Sequence, residues 1–330
     1  MNTKDSIKVI AIVGPTGTGK TKYATKLAKE FNGELINCDS RQVYKYMDIG
    51  TNKGIVQSTP KSELYEGKAY NAFIIENSGV LGWLFDIIEP SEQLSLAEYQ
   101  KLTYFIIQKI KDRGHMPILI GGTGLYLDAL VKGYKLNDIK PNLKLRKELN
   151  LIKAPELFER LLKLNPIRAQ SLNKSDCKNP RRLIRAIEEC EYLDEHKEEV
   201  AKSNNDIMKL NLVIIYPDFK REELYNTIDE RVLEMVSSGL VEETKKIIQK
   251  YSCDIEVLKG IGYKEVIEYL DEKITISQMI ADIQQGHKNY AKRQMTWFEG
   301  EKRNYNLLKT DFNSGIIAQD IKDAILLQQS

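Results

Sequence analysis

The sequence predicts an α/β protein: a parallel sheet flanked by helices, with an all-helical insertion. Three observations carry that reading. The run "IKVIAIVG" has the unbroken apolar character of a buried strand and ends in a glycine turn that opens a helix-spaced segment. The same rhythm returns in "GELINCDS" and "MPILIGGTGLY", and it is the rhythm of a parallel sheet covered by helices. Between about Lys132 and Ser203 it stops: "APELFERLLKL" and "NPRRLIRAIEECEYLDEH" are helical in spacing, with no convincing strand among them.

Taken in chain order, the first helix, "KTKYATKLAKEF", places Tyr23, Leu27 and Phe31 on one face. The next strand, "GELINCDS", closes on Asp39 and Ser40. "SLAEYQKLTYFIIQKIKDRG" opens with a capping box, Ser95 and Glu98, and stops at Gly114. "LNLVIIYPD" resumes the sheet after the insertion. The remainder reads mostly as helix: "REELYNTIDERVLEMVSSG", "LVEETKKIIQKY", "GYKEVIEYL" and "TISQMIADIQQGHKNYAKRQMTWFEG". The expected division is a core of residues 1–131 and 204–330 around an insertion of residues 132–203.

With 330 residues, 42% hydrophobic and 29% charged, the chain has the composition of a soluble globular protein. Its apolar runs are too short to span a bilayer. The N-terminal apolar stretch runs straight into the glycine loop instead of a cleavage site, so a cytoplasmic protein with no membrane attachment is expected. Cys38, Cys177, Cys190 and Cys253 form no CxxC pair and no His-spaced cluster, which argues against a zinc site or a disulfide framework. Net charge is only +2, but residues 131–190 carry fifteen Lys+Arg against seven Asp+Glu. That surplus is either a footprint for a polyanion or a solvated helical surface laced by charge pairs.

The chemistry starts at the glycine loop. Gly14, Gly19, Lys20 and Thr21 match G-x-x-x-x-G-K-[ST], with a strand before and a helix after, as the motif requires. The loop Gly14, Pro15, Thr16, Gly17, Thr18, Gly19, Lys20 and Thr21 is therefore a phosphate cradle, and the fold class is a P-loop NTPase-like one. Glycines let backbone N–H groups turn inward, the helix N-terminus adds partial positive charge, Lys20 pairs with phosphate oxygens and Thr21 can ligate Mg²⁺. The loop alone does not name its ligand. Asp86 in "WLFD" and Asp218 after "LVIIY" only imitate the Mg²⁺-organising carboxylate of a nucleotide hydrolase or kinase. Asp39 is the more suggestive acid, because parallel strands line up their C-termini on one edge and this one ends directly after the first helix. On spacing alone, an N-cap role for Asp39 stays open.

Several stretches then occur in a fixed order: "GPTGTGKT", "DSRQVYKYMDIGTNK", "GGTGLYLDAL", "NPRRLIRAIE", "REELYNTIDERVLEMVSSGLVEE", "KGIGYKE" and "AKRQMTWF". Together they resemble the tRNA dimethylallyltransferases, or tRNA isopentenyltransferases, over nearly the whole chain. The resemblance implies that the loop holds the diphosphate of dimethylallyl diphosphate with Mg²⁺ (Thr21 and Asp39 as its protein ligands) rather than ATP. The prenyl group would pass to N6 of the adenosine just 3′ of a tRNA anticodon. It implies Asp39 as the base, and Lys20, Thr21 and Arg231 as stabilisers of the leaving diphosphate. Asp39, Ser40, Arg41, Gln42 and Thr123 would meet the target nucleotide. Arg146, Arg181, Arg182 and Arg185 of the insertion would contact tRNA, together with Lys259, Gly260, Gly262, Tyr263, Lys292, Arg293 and Gln294 of the C-terminal helices.

The chain departs from the family pattern at Gly82 and Trp83, where a His-rich stretch is common, and at Gly54, where proline is frequent. A bacterial-type enzyme acting as a monomer is expected. The rival readings are prenylation of free AMP, ADP or ATP, a P-loop small-molecule kinase, and a non-catalytic tRNA-binding protein with a relic loop.

Overall fold

The computed structural model describes residues 6–75, 78–134, 136, 139, 142–196, 207–301, 303–314 and 317–327. Its contacts divide the chain into two units: Met1–Tyr134 with Met208–Ser330, and Lys135–Ile207. The sequence had placed the insertion at 132–203.

The larger unit is organised by an eight-stranded sheet. Its strands are β1 (Ile7–Val13), β2 (Gly33–Asn37), β3 (Ile55–Tyr65), β4 (Lys68–Ile75), β5 (Val80–Trp83), β6 (Met116–Gly121), β7 (Leu210–Pro217) and β8 (Leu307–Thr310), in the spatial order β3-β4-β5-β2-β6-β1-β7-β8. The pairs β5–β2, β2–β6, β6–β1, β1–β7 and β7–β8 are parallel. Helix α1 (Lys20–Glu30) follows β1, α2 (Leu96–Asp112) precedes β6 and α3 (Gly124–Val131) follows it.

β1 shows why its sequence has no polar face. Successive side chains point to opposite faces of a sheet that is covered on both. Val9, Ala11 and Val13 pack with Tyr99, Leu102 and Ile106 of α2, while Ile10 and Ile12 pack with Tyr23, Ala24 and Leu27 of α1. The α2 capping box forms as expected, with Ser95 and Glu98 each serving the other's backbone N–H. Because the central strands are parallel, the segments leaving β1, β2 and β6 gather on one edge. There lie the phosphate loop, Asp39 and Thr123.

Two parts of the sheet were not read from the sequence. Residues 55–83 add β3 and β4 as an antiparallel ladder running into β5. The ladder has polar, charged residues on its outer strands, and Pro60 sits on β3, the sheet edge, where no inward amide is needed. That composition hides the alternation of a strand. β8, at the other edge, is four residues long and reads as a tail.

A buried carboxylate ties the ladder to the core. Glu34 of β2 is only 2% exposed. It accepts hydrogen bonds from Arg113 (3.1 and 2.7 Å), Lys61 of β3 (3.0 Å) and Trp83 Nε1 (2.6 Å), and lies 2.7 Å from His115 Nδ1. Trp83 thus has a structural reason to stand in β5: it fills the core at 0% exposure and delivers its single donor to Glu34.

The smaller unit contains α4 (Leu143–Leu149), α5 (Ala154–Leu164), α6 (Pro166–Gln170) and α7 (Pro180–Glu195). Leu145, Leu149, Leu157, Leu161, Leu183 and Ile187 form its core. Several of its arginines are engaged by acids. Arg146 makes two 2.7 Å bonds to the buried carboxylate of Glu188. Arg185 pairs with Glu189 at 2.9 Å and donates to Ile139 O, and Arg182 pairs with Asp176.

Glu34 yields a pH-dependent expectation. Burial alone would raise its carboxyl, but hydrogen bonds from Arg113, Trp83, Lys61 and His115 outweigh that and bring it down to about 2 from 4.5. A depressed acid stabilises the fold above its unfolded value, so this contribution is complete above pH 4.5 and is lost as pH falls towards 2. Glu34→Ala, which leaves Arg113 without its buried partner, is expected to cost about 3–5 kcal/mol. Urea unfolding from pH 3 to 7 checks both, since the stability gap between the two proteins must shrink at the acid end.

Candidate active site

The phosphate loop is braced by three contacts from two distant helices. Its last glycine, Gly19, is the N-cap of α1 with φ 76°, a left-handed conformation that favours glycine. Thr18 Oγ1 donates to Pro15 O at 2.9 Å, closing the loop on itself. From α11 (Ile276–Phe298), the side chain of Gln294 accepts from Thr16 N at 2.9 Å and donates to Gly122 O at 2.9 Å. From α8 (Arg221–Ser237), Arg231 Nη1 donates to Thr16 Oγ1 at 2.9 Å. The third brace is packing: Gly17 lies against Leu224 and Ile228 of the same helix.

Lys20 donates to Pro15 O at 2.6 Å and lines a cavity of about 320 Å³ with Thr21, Asp39, Thr51, Glu234 and Arg231. Burial and then the neighbouring Arg231 lower the Lys20 ammonium to about 7, with Asp39 opposing. Arg231 is itself lowered by burial, with Asp39 and Glu234 opposing, and its Nε is a buried donor with no partner. Two cations are therefore crowded into one recess, and one of them has a hydrogen-bonding atom unused. An anion with several oxygens relieves both conditions.

Asp39 leaves β2 at the sheet edge. Its backbone N–H donates to Asn37 Oδ1 at 2.9 Å, and its own Oδ1 accepts from Arg41 N at 2.8 Å. It therefore closes a turn rather than capping a helix. Thr123 sits across from it: Thr123 Oγ1 accepts from Ser40 N at 2.9 Å and donates to Ser40 Oγ at 3.2 Å, locking the turns after β2 and β6 together.

A second cavity, of about 360 Å³, adjoins the first. Thr16, Asp39, Thr51 and Arg231 line both. Ser40, Arg41, Lys259, His287, Tyr290 and Arg293 belong to the second. His287 is kept neutral, its imidazole lowered to about 4 by burial and by Arg231, and Tyr290 is pushed up by burial and Asp39.

The structure thus gathers Lys20, Thr21, Asp39, Ser40, Arg41, Thr123 and Arg231 in one place. Other expected residues have structural tasks. Gln42 Nε2 donates to the carbonyls of Thr51 and Asn52, and Gln294 is 4% exposed and braces the loop. Tyr263 is 2% exposed, with its hydroxyl on Glu243, and Gly262 begins its helix at φ 92°. Gly260 lines the second cavity, and Lys292 and Arg293 are exposed. Lys288, one turn before Lys292 on the same helix, is paired with Asp229 at 2.6 Å. Asp86 is committed to the buried Lys53. Thr51 and His287 went unread as site residues. Both stand inside motifs that were quoted, but a threonine in a loop and a histidine on a helix carry no spacing signal of their own.

The donor set fits a magnesium ion held jointly with a phosphate ligand. Thr21 and Asp39 offer two hard oxygens beside the phosphate loop, and Mg²⁺ commonly takes one or two protein ligands, keeping waters and substrate phosphates for the rest. No group of three or more His, Cys, Asp or Glu side chains suited to a metal occurs among the described residues.

Comparison with known proteins matches residues 42–303 to the IPP transferase family model and residues 7–64 to that of isopentenyl transferases. A tRNA dimethylallyltransferase of Anoxybacillus flavithermus is 37% identical over 294 residues, covering 89% of this chain and 88% of the relative. The chain belongs to the tRNA dimethylallyltransferase family. Another family member, from Thermoanaerobacter sp., is 36% identical over 317 residues, with 93% of this chain and 92% of the relative covered. In structure, the tRNA isopentenylpyrophosphate transferase of Bacillus halodurans superposes with a TM-score of 0.64 at 34% identity, covering 98% of both chains. A eukaryotic dimethylallyltransferase acting on tRNA matches with a TM-score of 0.72 at 26% identity, over 98% of this chain and 77% of its own. The P-loop-like architecture of this family is the one expected from the sequence.

The lowered Lys20 leads to an expectation about anion binding. A bound diphosphate raises the ammonium back towards its ordinary value, so binding above pH 7 takes up a proton at Lys20. Relative to Lys20→Arg, which stays charged throughout, wild-type affinity for inorganic diphosphate is expected to fall by up to about tenfold per pH unit above 7. Calorimetry in buffers of different ionisation enthalpy reads the uptake directly; equal uptake by both proteins contradicts it.

Proposed function

We propose that the protein transfers a dimethylallyl group from dimethylallyl diphosphate to N6 of the adenosine 3′-adjacent to a tRNA anticodon, releasing diphosphate. The observation that carries the reading is the meeting of two cavities at Asp39, Thr16, Thr51 and Arg231. One is walled by the phosphate loop and takes the diphosphate of the donor. The other is lined by polar and aromatic groups and takes an adenine turned out of its stack, at a cost of a few kcal/mol. The acceptor nitrogen and the donor carbon come together where the cavities join.

The chemistry follows from what stands at that junction. The N6 lone pair is delocalised into the ring and is a poor nucleophile. As N6 forms its bond to the allylic carbon, Asp39 accepts the N6 proton, a contribution of about 10²–10⁴-fold for a general base. The C–O bond breaks and its electron pair leaves with the diphosphate. Lys20, Arg231 and the loop N–H groups, already fixed around the recess, stabilise that charge. Thr21 and Asp39 would hold Mg²⁺ together with the bound phosphate, and the ion would supply further neutralisation of the leaving group.

The name shared by the relatives supports tRNA as acceptor, as do the exposed basic side chains of Lys292 and Arg293 and the basic surplus of residues 131–190. A free nucleotide needs neither. Within the insertion, Arg181 is exposed, while Arg146 is committed to Glu188 and holds the helices in place. No described helix is long and apolar enough to cross a membrane. A cytoplasmic monomer is the state proposed.

Labelled dimethylallyl diphosphate, incubated with unmodified tRNA or with AMP and ATP, tests the reading. Label is expected in tRNA only, lost on Asp39→Ala and on Lys20→Ala, with tRNA binding retained by Lys20→Ala. Label in AMP or ATP alone transfers the function to free-nucleotide prenylation, and label nowhere removes prenyl transfer. Affinity for tRNA is also expected to drop steeply with salt, as counterions are released from several phosphates. A flat plot of log affinity against log salt contradicts a role for the basic surplus.

A further inference from the structure

The wall facing the phosphate loop is made by the segment Asp48–Lys53, and this segment has little regular structure to hold it. Thr51, Asn52 and Lys53 line the loop's cavity; Gly50 and Thr51 line its neighbour. Its first three amides are gathered by a single carboxylate from α9 (Leu240–Tyr251), nearly two hundred residues away. Glu243 Oε2 accepts from Asp48 N at 2.9 Å and Ile49 N at 2.8 Å, and Oε1 accepts from Gly50 N at 3.0 Å. Oε1 also accepts from the hydroxyl of Tyr263, on α10 (Tyr263–Leu270), at 2.7 Å. Four donors thus converge on one side chain, and charge-assisted bonds of this kind are roughly twice as strong as neutral ones.

The neighbours of the clasp leave the segment no other place. A Cβ on Gly50 would stand 2.4 Å from the Tyr263 ring, so the backbone is pressed against that aromatic face. Lys53, buried at 2% exposure, donates to Tyr44 O at 2.7 Å and Asp48 Oδ1 at 2.6 Å, and pairs with Asp86. Gln42 holds the carbonyls of Thr51 and Asn52. Glu243 itself does not line either catalytic cavity.

We infer that Glu243 is a positioning residue for the prenyl diphosphate: by gathering the amides of Asp48, Ile49 and Gly50 it sets the Thr51–Lys53 wall against which the donor is held. The inference rests on the functional reading given above. It assigns Glu243 to donor binding in particular, because the three residues that directly follow the clasped amides, Thr51, Asn52 and Lys53, line the phosphate-loop cavity, while Gly50 and Thr51 touch its neighbour.

Three variants separate this role from general packing. Glu243→Ala removes all four bonds, Glu243→Gln keeps the side-chain shape but sets an amide NH₂ against backbone N–H donors, and Tyr263→Phe removes only the hydroxyl bond. Hydrogen exchange over residues 44–56 and the Kd for dimethylallyl diphosphate are measured for each, with KM for donor and for tRNA. In Glu243→Ala and Glu243→Gln, the amides of Asp48, Ile49 and Gly50 are expected to lose protection, and donor Kd and KM to rise tenfold or more. KM for tRNA is expected to stay within about threefold, and Tyr263→Phe to show a small rise in donor Kd in the same direction.

Unchanged exchange, or faster exchange with donor affinity unchanged, overturns the assignment. So does an equal rise in KM for donor and tRNA. Should Glu243→Ala fail to fold, Glu243→Gln and Tyr263→Phe decide by the same readings. A wild-type protein that binds no dimethylallyl diphosphate overturns the functional reading as well, and is distinguished by that single control.

Discussion

Everything at the site depends on Lys20 and Arg231 being held side by side. Like charges in a recess repel, and Arg231 adds to burial in lowering the affinity of Lys20 for its proton. Asp39 offsets part of this, but it is already engaged with the Arg41 amide. The folded protein therefore stores an electrostatic demand that an anion with several oxygens satisfies. Because the groups are fixed before the ligand arrives, little reorganisation is left for the reaction itself.

That arrangement is costly to hold, and the fold offsets the cost with contacts of high sequence separation. Arg231 reaches Thr16 across 215 residues and Gln294 reaches it across 278. The parallel sheet gives the site its edge, and the C-terminal helices give it its far wall. Neither half is a site alone: the loop has no second cation without α8, and α8 has no phosphate cradle without β1. Such braces also explain why a buried side chain, Gln294, sits in so specific a motif.

Much of this was legible in the sequence, and the limits are physical. The phosphate loop, Asp39 and the α2 capping box are local: backbone conformation and chemistry are decided within a few residues of each. The gathering of Arg231, Thr123 and Lys20 was available only through the resemblance, because nothing in "DERVLEM" says which residue it will face. The β3–β4 ladder escaped because its alternation is masked by the charges of Lys61, Glu63 and Lys68, by Pro60 and by an edge position. Gln294 and Tyr263 were read as nucleic-acid contacts on the strength of their motifs; they line the two cavities but are largely buried and held in hydrogen bonds, and burial of a particular helix face depends on what packs against it.

The order of the strands has a further consequence for how the protein is made. β1 leaves the ribosome well before the strands that flank it, β6 and β7, the latter of which begins only at Leu210. At ordinary rates of synthesis that wait is roughly 10–40 s. During it, the helices of Lys135–Ile207, whose contacts are mostly local, can complete their own core while the apolar face of β1 is still waiting for its partner. A nascent chain halted before Gln294 already contains every residue of the phosphate loop, but the side chain that braces it has yet to be translated.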